Sequence, residues 1–586
     1  MITLGNEKVY NLLFVILITL AFFCLLFIIA DPVFEVNDDM TIIAIYSGQL
    51  GFSASNDAVF ISSILGTIFQ DLYHLNPEVP WYSLTLYLLH FISLAIGVKI
   101  IFETYQSLLV RAFCSICFFS LYSLIFYRLS FTSTSLLILF LTMLYILHLN
   151  IEGKKTGLND LLPGFLLVIG FLLRPSIAII AFTLSSPMLL SFLLPGVKKR
   201  LIYAVLPLLL VMFLSLFCSD YIISRQRNDD YYSELQSARS RLTDTIEGLP
   251  NNNTGKALAA ANWTEADYHL GRLYWSHNEE VYSAEKINQF LSYNSQHFFP
   301  ASFNLLLYNL FIRINYIVIL CSGLFMLVGL KEDDKPLKTM NIIEANYRFI
   351  KIIIIISLLA ILSGTLFLAA IRFPPRIAMP ILIYLFMLIV VLKPVLNKLF
   401  YQRKKFLNHN LKVGISSLII VFFTFVNLSN MVDYSSNFNS KKEFHSSSIK
   451  MLQKSHEKDI IFVEVGPDFY LAYASPLKEF QDVAIFDRLP GGWNISTSLY
   501  YEVLRGYGAS DGREFMEHAI NNDKVIFSFR EVPNNQYCEY GVLFKKHIND
   551  HYGHLYTDSS LSLDILLIRE AHENLRWYFF KIITED

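Results

Sequence analysis

The sequence predicts a polytopic α-helical membrane protein with about eleven transmembrane helices and a C-terminal extracytoplasmic α/β domain. Three observations carry that prediction. Of the 586 residues, 54% are hydrophobic and only 16% charged, against roughly 25% charged in a soluble globular chain. The apolar residues fall in repeated runs of about 20, the length that crosses a bilayer core. After residue 431 these runs stop and short β-type segments take their place. Such a composition excludes a soluble enzyme, a disordered chain and a fibrous protein. The net charge of −2 supplies no basic field for nucleic acid.

The spans fall near 10–30, 81–103, 107–127, 130–149, 158–174, 176–195, 201–223, 301–330, 349–371, 376–396 and 411–430. The first is long and lacks a small-x-small cleavage site, so it reads as an uncleaved anchor. Orientation follows from Lys and Arg in alternate short loops. Lys154–Lys155, Lys198–Arg200, Lys331/Lys335/Lys338 and the run Lys393–Lys412 share one side with Lys8 when the count is odd. That side is cytoplasmic. The bacterial inner membrane is the expected location, since no eukaryotic retention signal appears. Residues 1–430 then form a transmembrane module, and 31–80, 224–300 and 431–586 lie outside.

Loop 31–80 carries two amphipathic stretches, Met40–Gln49 and Ala58–Tyr73, expected as helices along the membrane surface. Loop 224–300 reads as soluble and helical, with a break at Pro250–Gly255 and helical character over Glu279–Phe290. In 431–586, Asp459–Glu464, Lys524–Phe529 and Leu563–Ile568 read as strands; Ser498–Leu504 and Gly512–Asn521 read as helices. Of the six cysteines, most lie in apolar runs, and Cys114-x-x-Cys117 has no second pair, so neither a disulfide framework nor a zinc site is predicted.

Chemistry points to Asp31-Pro-Val-Phe-Glu-Val-Asn-Asp-Asp39. Asp38 and Asp39 stand just outside the first span, where a charge needs a reason. One reason is helix capping by Asn37 and Asp38. The other is that one carboxylate acts as a general base while its neighbour orients substrate or tunes its pKa. Glu35 and Asp57 are further candidates. A second constellation is arginine at the same face: Arg128, Arg174 before Pro175, and Arg372-Phe-Pro-Pro-Arg376. A guanidinium fork matches a phosphate, although helix-end arginines also snorkel to head groups. His90 and His148 read as packed helix residues. Trp263, Trp275 and Tyr231–Tyr232 suit sugar stacking or the membrane interface. No H-E-x-x-H, P-loop, G-x-S-x-G or dinucleotide fingerprint occurs.

With an acidic residue opening the first outer loop, two helices in that loop and a large outer loop after span seven, the chain resembles the GT-C superfamily of integral-membrane glycosyltransferases. The segment Asn37-Asp-Asp-Met40 through Tyr46-Ser-Gly48 also looks like bacterial O-antigen or surface-glycan glucosyltransferases of that class. The resemblance implies a sugar, such as glucose, carried on polyprenyl phosphate and transferred with inversion to a surface glycan or glycolipid such as O-antigen. It implies Asp39 as base, with Asp38 second, and Arg372, Arg376, Arg174 and Arg128 on the lipid phosphate. No cofactor is required; some members use a divalent metal, and no ligand cluster beyond the acidic pair suggests one here. The competing readings are a flippase for a lipid-linked glycan, a surface-polysaccharide polymerase or ligase, and an adhesion or assembly scaffold. Span interiors nearly free of charge, and halves that do not match, weigh against transport.

Overall fold

The computed structural model describes residues 2–35, 38–48, 54–56, 58–152, 161–189, 229–244, 254–273, 275–293, 374–400, 461–465, 476–478, 487–489, 495–531, 540–555, 560–571 and 575–585, with scattered residues between 418 and 447. Among them, five helices are long and apolar enough to cross a membrane. They are α1 (Ile2–Ile29), α4 (Trp81–Thr104), α5 (Leu108–Tyr127), α6 (Phe131–Ile151) and α13 (Pro375–Phe400). Two shorter apolar helices, α7 (Leu161–Leu173) and α8 (Pro175–Leu189), follow α6. The protein is therefore a helical membrane protein. The spans expected at 201–223, 301–330, 349–371 and most of 411–430 lie outside the described residues.

Sequence dictates the layering of these helices. Leu17, Leu20, Leu25 and Ile28 keep α1 apolar on a face left exposed by the rest of the chain, as a lipid-facing helix requires. By contrast α6 is buried almost throughout and forms the axis of the bundle. Its N-terminal hydroxyls avoid the cost of burial by bonding nearby carbonyls. Thr134 Oγ1 donates to Ser130 O at 2.8 Å, and Ser135 Oγ donates to Gly170 O at 2.7 Å, tying α6 to α7. A Cβ at Gly170 would collide with Leu139, so glycine permits this close approach. Helix α13 packs against α4, α5 and α6. Phe140 and Tyr384 stack at 4.3 Å, and Arg376 N–H in the first turn of α13 meets Glu35, itself bonded to Leu129 just before α6, so the two helices begin at the same end.

Two small ladders organise that end. Strand β1 (Val33–Phe34) pairs in parallel with β2 (Arg128–Leu129), and Glu35 N–H donates to Leu129 O at 2.9 Å. The chain leaving α1 is thereby stapled to the α5–α6 turn. Helices α2 (Asp38–Ser47) and α3 (Ser63–Leu75) follow. α3 matches the surface expectation: Leu65, Phe69 and Tyr73 are buried, while Ile64, Ile68 and Leu75 are exposed. α2 does not. Every residue from Asp39 to Tyr46 is buried by protein. The physical reason lies in its sequence: Met40, Ile42, Ile43, Ala44, Ile45 and Tyr46 are apolar nearly all round, and such a helix belongs in a core rather than on a surface.

The C-terminal residues build a five-stranded mixed sheet in the order β4-β3-β5-β7-β6. β3 (Ile461–Glu464) pairs in parallel with β4 (Asp487–Arg488) and β5 (Val525–Glu531). β7 (Leu575–Glu585) joins β5 and β6 (Ser560–Ala571) in antiparallel register. Helices α14 (Ser498–Gly506), α15 (Gly512–Ala519) and α16 (Tyr540–Tyr552) accompany the sheet. The preceding segment holds α9 (Asp229–Asp244), α10 (Thr254–Ala261), α11 (Glu265–Arg272) and α12 (Ala284–Ser292). It packs directly on this sheet. Trp275 is buried against Phe527 and Phe544, Arg239 Nη1 donates to Ile495 O at 3.1 Å, and Asn278 Nδ2 donates to Tyr552 Oη at 3.1 Å. Trp263 is buried too, its Nε1–H donating to Val281 O at 2.7 Å. Neither tryptophan is available to a sugar or to a membrane interface; both are core residues.

Candidate active site

The end where α6 and α13 begin is also where α4 and α8 begin and where α1, α5 and α7 finish. Asp39 lies at its centre, with no solvent exposure. The β1–β2 staple sets the start of α2 beside the start of α6. Asp39 Oδ1 then accepts the Tyr82 hydroxyl at 2.8 Å and the Phe131 backbone N–H at 3.1 Å. Phe131 is the first residue of α6, so its N–H is one of the donors a helix start leaves unpaired, and it carries the positive end of the helix dipole. The carboxylate is thus committed to α4 and α6, not to capping its own helix. Oδ2 has no hydrogen-bond partner among the described residues.

Burial dominates the electrostatics of this group. It pushes the Asp39 carboxyl up to about 8, with the charge of Asp38 adding to the rise. The hydrogen bonds from Tyr82 and Phe131 and the charge of Arg376 act in the opposite direction but do not overcome desolvation. At pH 7 the protonated form therefore predominates. Asp38, the first residue of α2, is only half-buried. The two neighbours in sequence thus occupy different environments.

Two arginines converge on the same place. Arg174 fills the turn between α7 and α8, a turn fixed by Pro175 at the first position of α8. Its guanidinium lies over the rings of Phe60 and Phe131, at 4.9 and 4.7 Å, and its Nη1 donates to Thr132 Oγ1. Its Nε is buried without a hydrogen-bond partner among the described residues. Arg376 occupies the second position of α13, and its backbone N–H donates to Glu35 Oε1 at 3.1 Å. Glu35 is thereby a carboxylate at a helix start, held by the dipole of α13. Arg174 and Arg376 are close enough to repel each other, and both feel the charge of Asp39. The half-buried Asp38 and the Glu35 carboxylate stand against these two positive charges, so what the site offers an anion is the guanidinium donors themselves rather than a surplus of charge.

Of the residues singled out in the sequence, Asp38, Asp39, Arg174 and Arg376 are brought together, Arg128 lies on the adjoining β2, and Glu35 joins through α13. Arg372 and Asp57 lie outside the described residues. Tyr82, Thr132, Phe60 and the Phe131 N–H were not singled out; no sequence spacing links them to Asp39. His90 sits inside the bundle between the Tyr122 hydroxyl and Thr134 Oγ1, and His148 meets Glu103 at 2.9 Å near the opposite end. Cys114 and Cys117 are buried, Cys24 lies on the exposed face of α1, and none of the three is in a disulfide. Among the described residues, the group of His, Cys, Asp and Glu side chains placed to share a metal ion is Asp267, His547 and His551, away from this end of the bundle. Neither a protein-family model nor a curated protein matches the chain.

Proposed function

We propose that the protein is an inverting glycosyltransferase that moves a hexose, such as glucose, from a polyprenyl-phosphate donor to a cell-surface glycan or glycolipid such as O-antigen. The observation that carries this reading is the pairing at one end of the bundle. A buried carboxyl has one oxygen fixed and the other unused, and two guanidinium groups lie within range of its charge.

The chemistry follows from those parts. Tyr82 and the start of α6 hold Asp39 so that Oδ2 is the atom that takes the proton. The acceptor hydroxyl loses that proton to Oδ2 as its oxygen bonds to the anomeric carbon. The bond from that carbon to the lipid phosphate breaks on the opposite face, which inverts the centre. Negative charge grows on the departing phosphate, and two guanidinium groups stabilise it: Arg174, already held over two aromatic rings, and Arg376, carried on the first turn of α13. A raised carboxyl pKa makes the base form scarcer but stronger, which suits the weakly acidic hydroxyl it must deprotonate. Arg128 and Arg372 complete the phosphate contacts in this reading.

The same reading sets the chain in a bacterial inner membrane, with eleven spans, a cytoplasmic N-terminus, and both 224–300 and an α/β domain at 431–586 outside. The C-terminal sheet and the 229–293 segment, which share one core, then face the compartment where the acceptor lies. The test is product stereochemistry. Purified protein given a polyprenyl-phosphate hexose of known anomer and a surface-glycan acceptor should form the opposite anomer, read by NMR. A retained anomer would exclude the single-displacement mechanism.

A further inference from the structure

Away from the bundle, side chains from two distant parts of the chain converge on one point. α11 contributes Asp267, and α16 contributes His547 and His551, four residues apart and so on one face of the helix. Asp267 Oδ1 lies 2.6 Å from His547 Nδ1 and 2.8 Å from His551 Nε2. One ligand atom from each residue lies within 4.8 Å of the others. Asp267 and His547 are buried, while the His551 side chain keeps 21% exposure and gives the cluster an edge open to solvent.

The surroundings hold these groups in place. Asp267 Oδ2 accepts the Thr264 N–H at 2.7 Å and the Thr264 hydroxyl at 2.9 Å, in the capping box that opens α11. The carboxylate therefore has one oxygen anchored and one presented, as in sites where outer partners orient a metal ligand. The His547 ring stacks on Tyr282, and the Tyr282 hydroxyl donates to Asp267 O at 3.1 Å. As a purely hydrogen-bonded trio, the cluster buries one anion against two imidazoles. A cation accounts for the convergence more fully.

We infer that Asp267, His547 and His551 bind a divalent first-row cation of the zinc class, which clamps the 229–293 segment to the C-terminal sheet. Two imidazole nitrogens and one carboxylate oxygen form a donor set that suits such an ion, with a fourth position left for water at the open edge. Tetrahedral bonds of about 2.0–2.1 Å set neighbouring ligand atoms roughly 3.3 Å apart. The two separations from Asp267 Oδ1 need to open by roughly 0.5–0.7 Å to reach it, and the third ligand pair already lies within 4.8 Å. The clamp works through folding: an ion bound only when α11 and α16 are docked stabilises the docked state.

Full-length protein in detergent, stripped with a chelator and monodisperse, is titrated with zinc alone by calorimetry and thermal melting. Bound metal is counted by mass spectrometry, and cobalt is substituted for its visible absorption. The expected result is one zinc per chain, a raised melting temperature and cobalt bands of tetrahedral intensity. His551→Gln, at the half-open edge, should weaken zinc binding by at least about tenfold. Absence of stoichiometric zinc in the stripped wild-type protein would overturn the inference. So would octahedral cobalt bands, or zinc bound equally well by His551→Gln.

Discussion

Replacing Asp39 by asparagine should stabilise the protein while stopping transfer. The side chain keeps its shape, and its amide oxygen still accepts from Tyr82 and from the Phe131 N–H. What disappears is an ionisable group whose native pKa, about 8, lies far above the ordinary 3.8. The native state thus holds a proton that the unfolded chain releases as pH rises from 4 to 8. Stability falls across that window and levels off above it, by about 1.4 kcal/mol for each pH unit. At pH 7 roughly three units have been crossed, a cost on the order of 4 kcal/mol that asparagine does not carry. Thermal unfolding of both proteins in detergent at pH 5 and at pH 7.5 reads this out. The variant should be the more stable protein at both, with a margin that widens at the higher pH. Equal stability at both pH values would refute the claim that a buried, mostly protonated carboxyl occupies this position.

The pH dependence of transfer should run the opposite way from that of stability. Because the base form of Asp39 is the active one, kcat/KM should rise with pH through about 8 and level off only above it; a profile already flat between pH 5 and 7 would contradict it. Arg174→Lys removes the planar fork and its stacking on Phe60 and Phe131, and should lower transfer by about 10²-fold or more in folded protein. Arg376→Ala should cost a similar factor, and the double variant should lose less than the product of the two, since both act on one phosphate; steady-state kinetics of the three variants form the cycle. Trp275→Ala removes the ring packed on Phe527 and Phe544 and should destabilise the C-terminal core by about 3–5 kcal/mol. Hydrogen exchange would then rise across 275–283 and β5 and leave α6 unchanged.

How much of this was legible in the sequence follows from the range of the forces involved. Hydropathy is a local signal, and α4, α5, α6 and α13 begin and end within a few residues of their predicted limits. The acidic pair was legible for the same reason, since carboxylates beside an apolar span stand out against their surroundings. Tyr82 was not, because its contact with Asp39 spans 43 residues and depends on how α2 docks against α4. The all-round apolar character of Met40–Tyr46 was a local sign that α2 is buried, but its brevity suggested a surface helix instead. In the C-terminal sheet, the β-type runs Asp459–Glu464, Lys524–Phe529 and Leu563–Ile568 fall on β3, β5 and the middle of β6. The strand Leu575–Glu585 was not recognised, although its aromatic and β-branched residues favour one. The packing of 229–293 on that sheet has no local signature at all. It joins residues more than 200 positions apart, and Trp275, which looked suited to sugars, fills the seam.

The proposal that Asp39 is the base of a lipid-phosphate sugar transferase meets its most direct test in donor turnover. Purified protein is given polyprenyl-phosphate hexoses with and without a surface-glycan acceptor, and free polyprenyl phosphate is counted by mass spectrometry. Asp38→Asn and Asp39→Asn are run alongside. The account predicts release that requires the acceptor, survives in large part in Asp38→Asn and collapses in Asp39→Asn. Folded protein that releases no lipid phosphate from any donor, or an Asp39→Asn variant as active as the wild type, would contradict it.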